Sequence, residues 1–509
     1  MHRRSFLLQL ASLALARHPG GQAQAAAGDR DATSVDIRRY VRDRAGALSE
    51  GAYIPPDTSV PERLAGIGYD EYNEIRFRSE RGVWRGAQSD FELQLFHRGF
   101  IFPHRVAVFV VEEGAIRPLA YDPSLFDFGA LDDIGQAGLG DFGFAGIRVL
   151  SPINDPSVPE EFLVFLGASY FRSVGRNMSY GLSARGLALR TADPRGEEFP
   201  YFVELYIERP RPGRRRIDVH AVLDSPSVSG AYSFYVHPGE ATRMNVRATL
   251  FPRVDLDWVG LAPLTSMYWF GPLERPEVDD FRPRVHDSDG LMIRTESEEW
   301  LWRPLANPSR LQVSSFPAGK VRGFGLAQRA QDSRDFQDLQ AKYHQRPSLW
   351  IERHGRWPEG TVDLVEIPTA SEFNDNIVAY WRPEAPLPAH KRFDYAYGMT
   401  WGKILPRGFG LLYVQGTRSG AYADTWRQFV IDFASHEPGA LFDPEDFSAL
   451  VSSSSGMVQG ISIAPNPDIG GLRLTFLFVP DGPASDLRAV MRQGRRPVSE
   501  IWVYRWSAR

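Results

Sequence analysis

The chain has no cysteine among its 509 residues, which excludes disulfide bonds, thiol chemistry and cysteine-ligated zinc. Its 11 histidines show no His-x-x-x-His or comparable ligand spacing, so we predict no metal site and no cofactor. The net charge is −5 and no long basic run occurs, so nucleic acid is not an expected partner. No stretch approaches the roughly 18 consecutive apolar residues of a membrane span, so stable membrane insertion is not expected either.

The N-terminal 25 residues are typical of an export signal. Arg3 and Arg4 form a twin-arginine pattern, and a short apolar run follows from residue 6 to residue 16. Ala23 and Ala25 flank a glutamine in a small-residue cleavage site. An amphipathic first helix is the alternative interpretation. We predict a cleaved twin-arginine signal over residues 1–25 and a mature protein in the periplasm.

Most of the remaining chain shows the two-residue alternation of β-strands. Residues 217–223 and 244–250 each place apolar side chains on one face, and clusters of Gly, Pro, Asn and Asp separate such runs. We therefore predict an all-β protein built on a large antiparallel sandwich. Helical spacing is confined to residues 37–41 and to a predicted helix over residues 332–344.

Prolines divide the chain near residue 384. Pro383, Pro386 and Pro388 are incompatible with a central strand and indicate a stiff linker. The roughly 120 residues beyond it carry new strand patterns, and this length fits an immunoglobulin-like sandwich. The predicted division is a β-sandwich domain over residues 30–383, a linker over 384–392 and an immunoglobulin-like domain over 393–509.

The segment that ends at Gly290 combines two carboxylates, an imidazole and a hydroxyl. It contains His286, Asp287, Ser288 and Asp289 in sequence, and the glycine is expected to adopt a backbone conformation closed to other residues. A surface turn tied by its own side chains is the ordinary interpretation of such a segment. The alternative is a carboxylate held in a cleft to transfer a proton.

A further carboxylate, Asp375, stands near the end of a polar loop. An apolar strand ends at Pro368, the loop follows, and Asn376 leads into another strand. Asp375 alone is typical of a turn, but two loop carboxylates are the minimum for hydrolysis of a glycosidic bond, one as acid and one as base. Their separation in the sequence does not establish that they meet.

Nine motifs carry a family resemblance. They are LGASYFR at residues 166–172, YGLSARGLA at 180–188, LDS at 223–225, GAY at 230–232, APLTSM at 262–267, HDSD at 286–289, RPL at 303–305, RPSLW at 346–350 and EIPT at 366–369. With these motifs the chain resembles the periplasmic glucan biosynthesis proteins G and D, which act on osmoregulated periplasmic glucans. The similarity extends from about residue 35 to the C-terminus, and the twin-arginine pattern favours the D-like branch.

The resemblance implies a galactose-mutarotase-like N-terminal sandwich, an immunoglobulin-like C-terminal domain and activity on linear β-1,2-glucan chains. Members of this family look like inverting glycoside hydrolases that cleave the chain internally. By the same resemblance, Asp375 matches the general acid on a mobile loop, and Asp287 matches the base, which acts on water through a relay. In an alternative interpretation the nearby Glu372, which stands three residues before Asp375, contributes to or competes for the acid role.

Ten residues are predicted to contact the glucan, each with a structural alternative. They are Tyr170, Arg172, Tyr180, Arg185, Ser288, Asp289, Trp302, Tyr343, Arg346 and Trp350. The aromatic side chains stack on glucose faces or pack in the core, and the arginines donate to vicinal hydroxyls or form salt bridges. Asp289 holds a sugar hydroxyl or orients Asp287. For His286 we favour an orienting role over proton transfer.

Three functional hypotheses remain, in this order of preference. The first is an endo-acting hydrolase of linear β-1,2-glucan. The second keeps the fold and the substrate but transfers the cleaved chain or closes it into a ring. The third is a glucan-binding assembly factor without turnover, whose immunoglobulin-like domain docks a partner. A homodimer is left open.

Overall fold

The computed structural model describes residues 36–508 except 88, 133, 135–139, 276, 320, 404–410, 424 and 438–439. The predicted signal, residues 1–25, lies outside the described residues. Within them, strands in mostly antiparallel sheets predominate and helices are few, which confirms the all-β prediction.

Two large sheets make up most of the molecule. The ten-stranded sheet runs in the order Glu92–Phe96, Gly146–Ser151, Glu160–Leu166, Tyr170–Ser173, Ser183–Arg185, Val259–Ser266, Ile377–Pro383, Gly360–Glu366 and Gln312–Gly319, with Leu187–Leu189 also paired to Val259–Ser266. The fifteen-stranded sheet runs in the order Phe447–Ser453, Ala484–Gln493, Ile501–Ser507, Trp300–Pro304, Gly290–Thr295, Val321–Ala327, Ser348–His354, Phe393–Gly402, Thr242–Pro252, Val228–His237, Ile217–Asp224, Tyr201–Glu208, Ala107–Glu112 and Ala115–Pro118, with Arg496–Pro497 paired to Ala484–Gln493.

Smaller elements complete the described chain. A four-stranded sheet runs in the order Tyr413–Ala423, Trp426–Ala434, Gly471–Val479 and Met457–Asn466. Two strand pairs are Arg76–Phe77 with Phe126–Asp127, and Tyr268–Phe270 with Val285–His286. The α-helices are Ile37–Glu50, Glu62–Ala65, Tyr69–Glu74 and Ser333–Phe336. Single 3₁₀ turns lie at Ser79–Arg81, Pro123–Leu125, Gly129–Leu131, Tyr343–Gln345, Pro444–Asp446 and Pro467–Ile469.

The main core lies between the two large sheets. One continuous apolar cluster joins Ile147 of the ten-stranded sheet to Phe234 of the fifteen-stranded sheet. Strand Thr242–Pro252 alternates buried with more exposed residues, as its sequence pattern predicts. Strand Ile217–Asp224 is buried on both faces, because helix Ile37–Glu50 covers the outer one.

The four-stranded sheet belongs to a second sandwich with its own core. Phe429, Leu474 and Trp502 meet in this core, which lies between that sheet and the last strands of the chain. Residues 301–302 pair in parallel with residues 501–502, so the fifteen-stranded sheet continues from one sandwich into the other. The two sandwiches are therefore joined by backbone hydrogen bonds as well as by the chain.

The prediction that residues 384–392 separate the two sandwiches is wrong. Strand Phe393–Gly402 pairs with Thr242–Pro252 on one side and with Ser348–His354 on the other, inside the main sandwich. The proline segment itself is held there, since Leu387 and Leu256 form a backbone bridge. Among the described residues, the four-stranded sheet of the second sandwich begins with Tyr413–Ala423. The prolines lie in the connection from strand Ile377–Pro383 of the ten-stranded sheet to strand Phe393–Gly402 of the fifteen-stranded sheet, and not at a domain boundary.

The predicted helix over residues 332–344 is wrong as well. A short helix covers Ser333–Phe336 and stops at Gln337, whose φ is 58°. Lys342, with φ of 49°, breaks the backbone a second time before a 3₁₀ turn. The Asp338 side chain accepts hydrogen bonds from two backbone N–H groups of this segment and thereby competes with helix formation.

Candidate active site

The segment that carries Asp287 is fixed by backbone hydrogen bonds at both ends. Val285–His286 pairs with Tyr268–Phe270, and the Asp287 N–H donates to the Met267 carbonyl at 2.8 Å. Gly290 does not have the unusual backbone conformation that the sequence suggested. A Cβ there would lie 2.5 Å from the Trp302 ring, so the glycine allows close packing of the strand on that indole.

The neighbours of Asp287 hold the turn. The Asp289 carboxylate accepts from the backbone N–H groups of Arg329 and Ala330 at 2.6 and 2.7 Å, and lies 3.4 Å from the His286 ring. Ser288 is fully buried and bonds Ser266 at 2.8 Å. Burial lowers the pKa of His286 to about 4, so its ring is neutral at pH 7. These contacts tie Asp287 in place.

Asn376 anchors the loop that carries Asp375. Its side chain accepts from the Tyr268 N–H at 2.8 Å and donates to the carbonyls of Tyr268 and Ile367 at 3.0 Å each. Asp287 is bonded to Met267, the residue before Tyr268. The two aspartate segments are therefore attached to the same short stretch of backbone.

The Asp375 carboxyl is 17% exposed and lies 3.7 Å from the Arg172 guanidinium. Burial raises the pKa of Asp375, and the positive charges of Arg172, Arg185 and Arg346 partly oppose that shift. Arg172 is itself oriented by a hydrogen bond to the Ser183 hydroxyl at 2.5 Å. A carboxyl in this environment retains its proton to higher pH than an exposed aspartate does.

One groove of about 880 Å³ contains both aspartates. The predicted residues that line it are Asp287, Asp375, Arg172, Tyr180, Tyr343 and Arg346. The volume falls within the range of ligand-binding clefts.

Arg346 connects the base segment to an aromatic wall of the groove. Its guanidinium contacts the Asp287 carboxylate and lies 4.0 Å from the centroid of the Tyr343 ring. Gly181 allows this placement, since a Cβ there would lie 2.9 Å from the Arg346 Cβ. The pairing leaves Asp287 with a fixed positive neighbour.

Glu372, the other carboxylate near Asp375, is already engaged. Arg282 donates to it at 2.7 Å and also contacts Asp280 and Asp338 at 2.7 and 3.0 Å. The Tyr343 hydroxyl donates to the same carboxylate at 2.5 Å. Glu372 thus fastens the Asp375 loop to the opposite wall, an arrangement that favours a structural role over that of a second acid.

The remaining predicted contacts lie outside the groove. Trp302 is buried in the core of the second sandwich, and Trp350 packs against that core beside Trp300. Arg185 is buried and bonds Thr265 and Glu197. Ser288 and Asp289 hold the turn as described above, and Tyr170 lines a neighbouring cavity. Apart from Tyr170, these residues are left out of the groove contacts because their polar or aromatic groups face protein.

Three exposed apolar side chains along the groove had no signal in the sequence. Phe281, Leu339 and Phe373 are 79%, 81% and 57% exposed, and all three line the groove. Apolar groups so exposed at a concave surface are typical of a ligand-binding rim.

Neither a metal nor a membrane span is indicated in the part of the chain that the structure describes. No cluster of three or more His, Asp or Glu side chains there is arranged to hold a metal ion. Likewise, no helix among the described residues has the length and apolarity needed to cross a membrane.

The fold and the groove define an all-β sandwich protein with two aspartates in one long cleft. A family model described as "Periplasmic glucan biosynthesis protein, MdoG" matches residues 38–506. Proteins named "Glucans biosynthesis protein G" from Bradyrhizobium diazoefficiens and Rhodopseudomonas palustris are 45% and 43% identical, covering 92% and 100% of this chain and 93% and 100% of theirs. One of the same name from Vibrio cholerae is 46% identical, covering 90% of this chain and 85% of its own.

The chain belongs to the periplasmic glucan biosynthesis protein family. This confirms the resemblance drawn from the motifs, and the family is periplasmic by its description. The relatives named above carry the G name. The assignment to the D-like branch depends on the twin-arginine pattern, which lies outside the described residues, and stays a prediction.

Proposed function

We propose that this protein is an inverting glycoside hydrolase that cleaves linear β-1,2-glucan internally, after twin-arginine export to the periplasm. The observation that carries the proposal is the presence of Asp287 and Asp375 in one groove of about 880 Å³. Inverting hydrolysis uses two carboxyl groups, one on each side of the scissile bond.

Asp375 is the general acid in this proposal. Burial raises the pKa of its carboxyl, which supports retention of the proton until the leaving oxygen takes it. Arg172, 3.7 Å away, becomes the counter-charge of the carboxylate once that proton has moved.

Asp287 is the general base. It removes a proton from the water that attacks the anomeric carbon on the face opposite the leaving oxygen, directly or through hydroxyl groups and waters. Arg346 fixes the carboxylate by direct contact and is stacked on Tyr343. This pairing holds one rotamer of the base toward the groove.

The substrate assignment draws on the family and on the walls of the groove. The relatives are named for glucan biosynthesis, and the motif resemblance implies the β-1,2 linkage. Tyr180 and the exposed Phe281, Leu339 and Phe373 offer aromatic and apolar surface for the C–H faces of glucose, whereas the buried Tyr343 ring packs on Arg346.

The test is release of reducing ends from linear β-1,2-glucan. Asp375→Asn and Asp287→Asn are each expected to lower kcat about 10²–10⁴-fold, the usual contribution of a general acid or base. Asp70→Asn, which changes an exposed carboxylate on the same groove, is the matched control and is expected to keep most of the activity. Wild-type rates in either catalytic variant would remove the assignment.

Product analysis separates the alternatives. Linear products with inverted anomeric configuration support hydrolysis, whereas a product lighter by one water than the linear oligomer indicates ring closure. Tight binding of the glucan with no product after long incubation indicates an assembly factor. A homodimer in solution is compatible with each of these outcomes.

A further inference from the structure

A second, smaller cavity adjoins the groove at Asp375. Its volume is about 300 Å³, and it shares Arg172 and Asp375 with the groove. Among the described residues, Asp287 and Arg346 line the groove but not this cavity. Asp375 therefore faces both the groove and the cavity, whereas Asp287 faces the groove alone.

The walls of the cavity suit a sugar ring. His104 and Tyr201 are half-buried, and their rings are in contact, with centroids 4.2 Å apart and an interplanar angle of 34°. Burial lowers the pKa of His104 to about 4, so a neutral ring is presented at pH 7. Phe102 and Phe171 form an apolar floor, and Arg172 supplies hydrogen-bond donors beside Asp375. Apolar surface with a few convergent polar groups is the usual composition of a small-molecule binding pocket.

We propose that this cavity binds the leaving-group side of the glucan, that is, the sugars toward its reducing end. The inference rests on the proposed function. The acid must reach the oxygen between the two sugars, whereas the base must reach water behind the anomeric carbon of the sugar on the other side. The space that meets the acid but not the base is thus the leaving-group side, and the groove holds the non-reducing part of the chain.

The proposed step is balanced in atoms and charge. The Asp375 proton moves to the glycosidic oxygen as the bond from that oxygen to the anomeric carbon breaks. The leaving sugar departs into the cavity with a free 2-hydroxyl group. Water forms the new bond to the anomeric carbon and gives its proton to Asp287. The two carboxyl groups then exchange a proton with solvent to restore the starting state.

A substrate without a leaving sugar tests the assignment. A β-1,2-linked oligoglucosyl fluoride releases only a fluoride ion and fills the groove alone. His104→Ala and Tyr201→Ala are expected to lower kcat/KM on linear β-1,2-glucan by about tenfold each and to leave the rate on the fluoride unchanged. Leu339→Ala, at the exposed rim of the groove, is expected to lower kcat/KM on both substrates.

A second measurement is needed if a variant folds poorly or if the enzyme does not hydrolyse the glucosyl fluoride. The cleavage positions in a β-1,2-glucan oligosaccharide labelled at its reducing end are compared by mass. The cavity variants and Leu339→Ala are expected to shift these positions in opposite directions relative to wild type.

Three outcomes would overturn the proposal. Equal losses on glucan and fluoride would place the cavity on the other side of the bond, and no loss on either would mean that it takes no sugar. Cleavage positions that shift the same way in both kinds of variant would also contradict it. Wild-type protein that releases nothing from linear β-1,2-glucan would instead refute the proposed function, which keeps the two failures distinct.

Discussion

A buried ion pair between the two sandwiches gives the sharpest stability prediction. The side chains of Arg329 and Glu500 are 1% and 0% exposed, and two nitrogens of the guanidinium donate to the carboxylate at 2.8 Å each. The same carboxylate accepts from the Val414 N–H at 2.8 Å, and the guanidinium lies 3.6 Å from the Trp302 ring centroid. Glu500→Gln keeps the shape but leaves the arginine charge buried and uncompensated.

The expected cost of this change follows from the burial. Removing one partner of a buried ion pair destabilises a protein by about 3–5 kcal/mol, because the remaining charge cannot reach water. Glu500→Gln should therefore lower the urea midpoint of unfolding clearly, whereas Glu445→Gln, on an exposed 3₁₀ turn, should change stability by less than about 0.5 kcal/mol. Replacing both partners with apolar residues, Arg329→Met with Glu500→Leu, should recover much of the loss.

The Arg329–Glu500 ion pair is also expected to affect activity. The Arg329 backbone N–H donates to Asp289, which holds the Asp287 turn, so a loosened Arg329 should also lower kcat on linear β-1,2-glucan. An unchanged urea midpoint in Glu500→Gln would refute the reasoning, as would a double variant no more stable than the single one.

Two further predictions concern the groove. Because the acid must be protonated and burial raises the pKa of Asp375, kcat/KM should fall as the pH rises through that pKa. Arg172→Gln removes a positive charge that lowers the pKa of Asp375, so the descending limb of the pH profile should move to higher pH. A descending limb that stays in place or moves to lower pH would contradict this prediction. Phe373→Ala should raise KM while changing stability by less than about 0.5 kcal/mol, because the side chain is 57% exposed on the groove. As a control, Leu441→Ala, at 91% exposure away from the groove, should change neither KM nor stability.

Strand positions followed from the sequence wherever one face alone was buried. Residues 244–250 lie in Thr242–Pro252, since period-two alternation directly records a face that packs on a core. The helix over residues 332–344 failed for the opposite reason. Its apolar spacing was right for a helix, but side-chain hydrogen bonds from Asp338 and two positive φ angles decided the backbone.

The two aspartates were found from motif resemblance, and their meeting in one groove could not be read from the sequence. They are 88 positions apart, and the contact between their segments is made by Asn376 with the backbone near Tyr268, which has no periodic signature. Trp302 and Trp350 show that residue type alone did not distinguish a sugar contact from a core position. A tryptophan beside a strand suits both a sugar platform and a core, and only the second sandwich packed against them distinguishes the two.

The anchoring of Asn376 has a consequence for how this loop is able to vary. Asn376, directly after Asp375, is hydrogen-bonded to Tyr268 and to Ile367, and Glu372 holds the middle of the loop through Arg282 and Tyr343. Under the proposed mechanism, a substitution at the exposed Phe373 would change the surface of the groove while these anchors keep Asp375 in place. The residues that contact the glucan and the residues that transfer protons would then be able to change independently within the same fold.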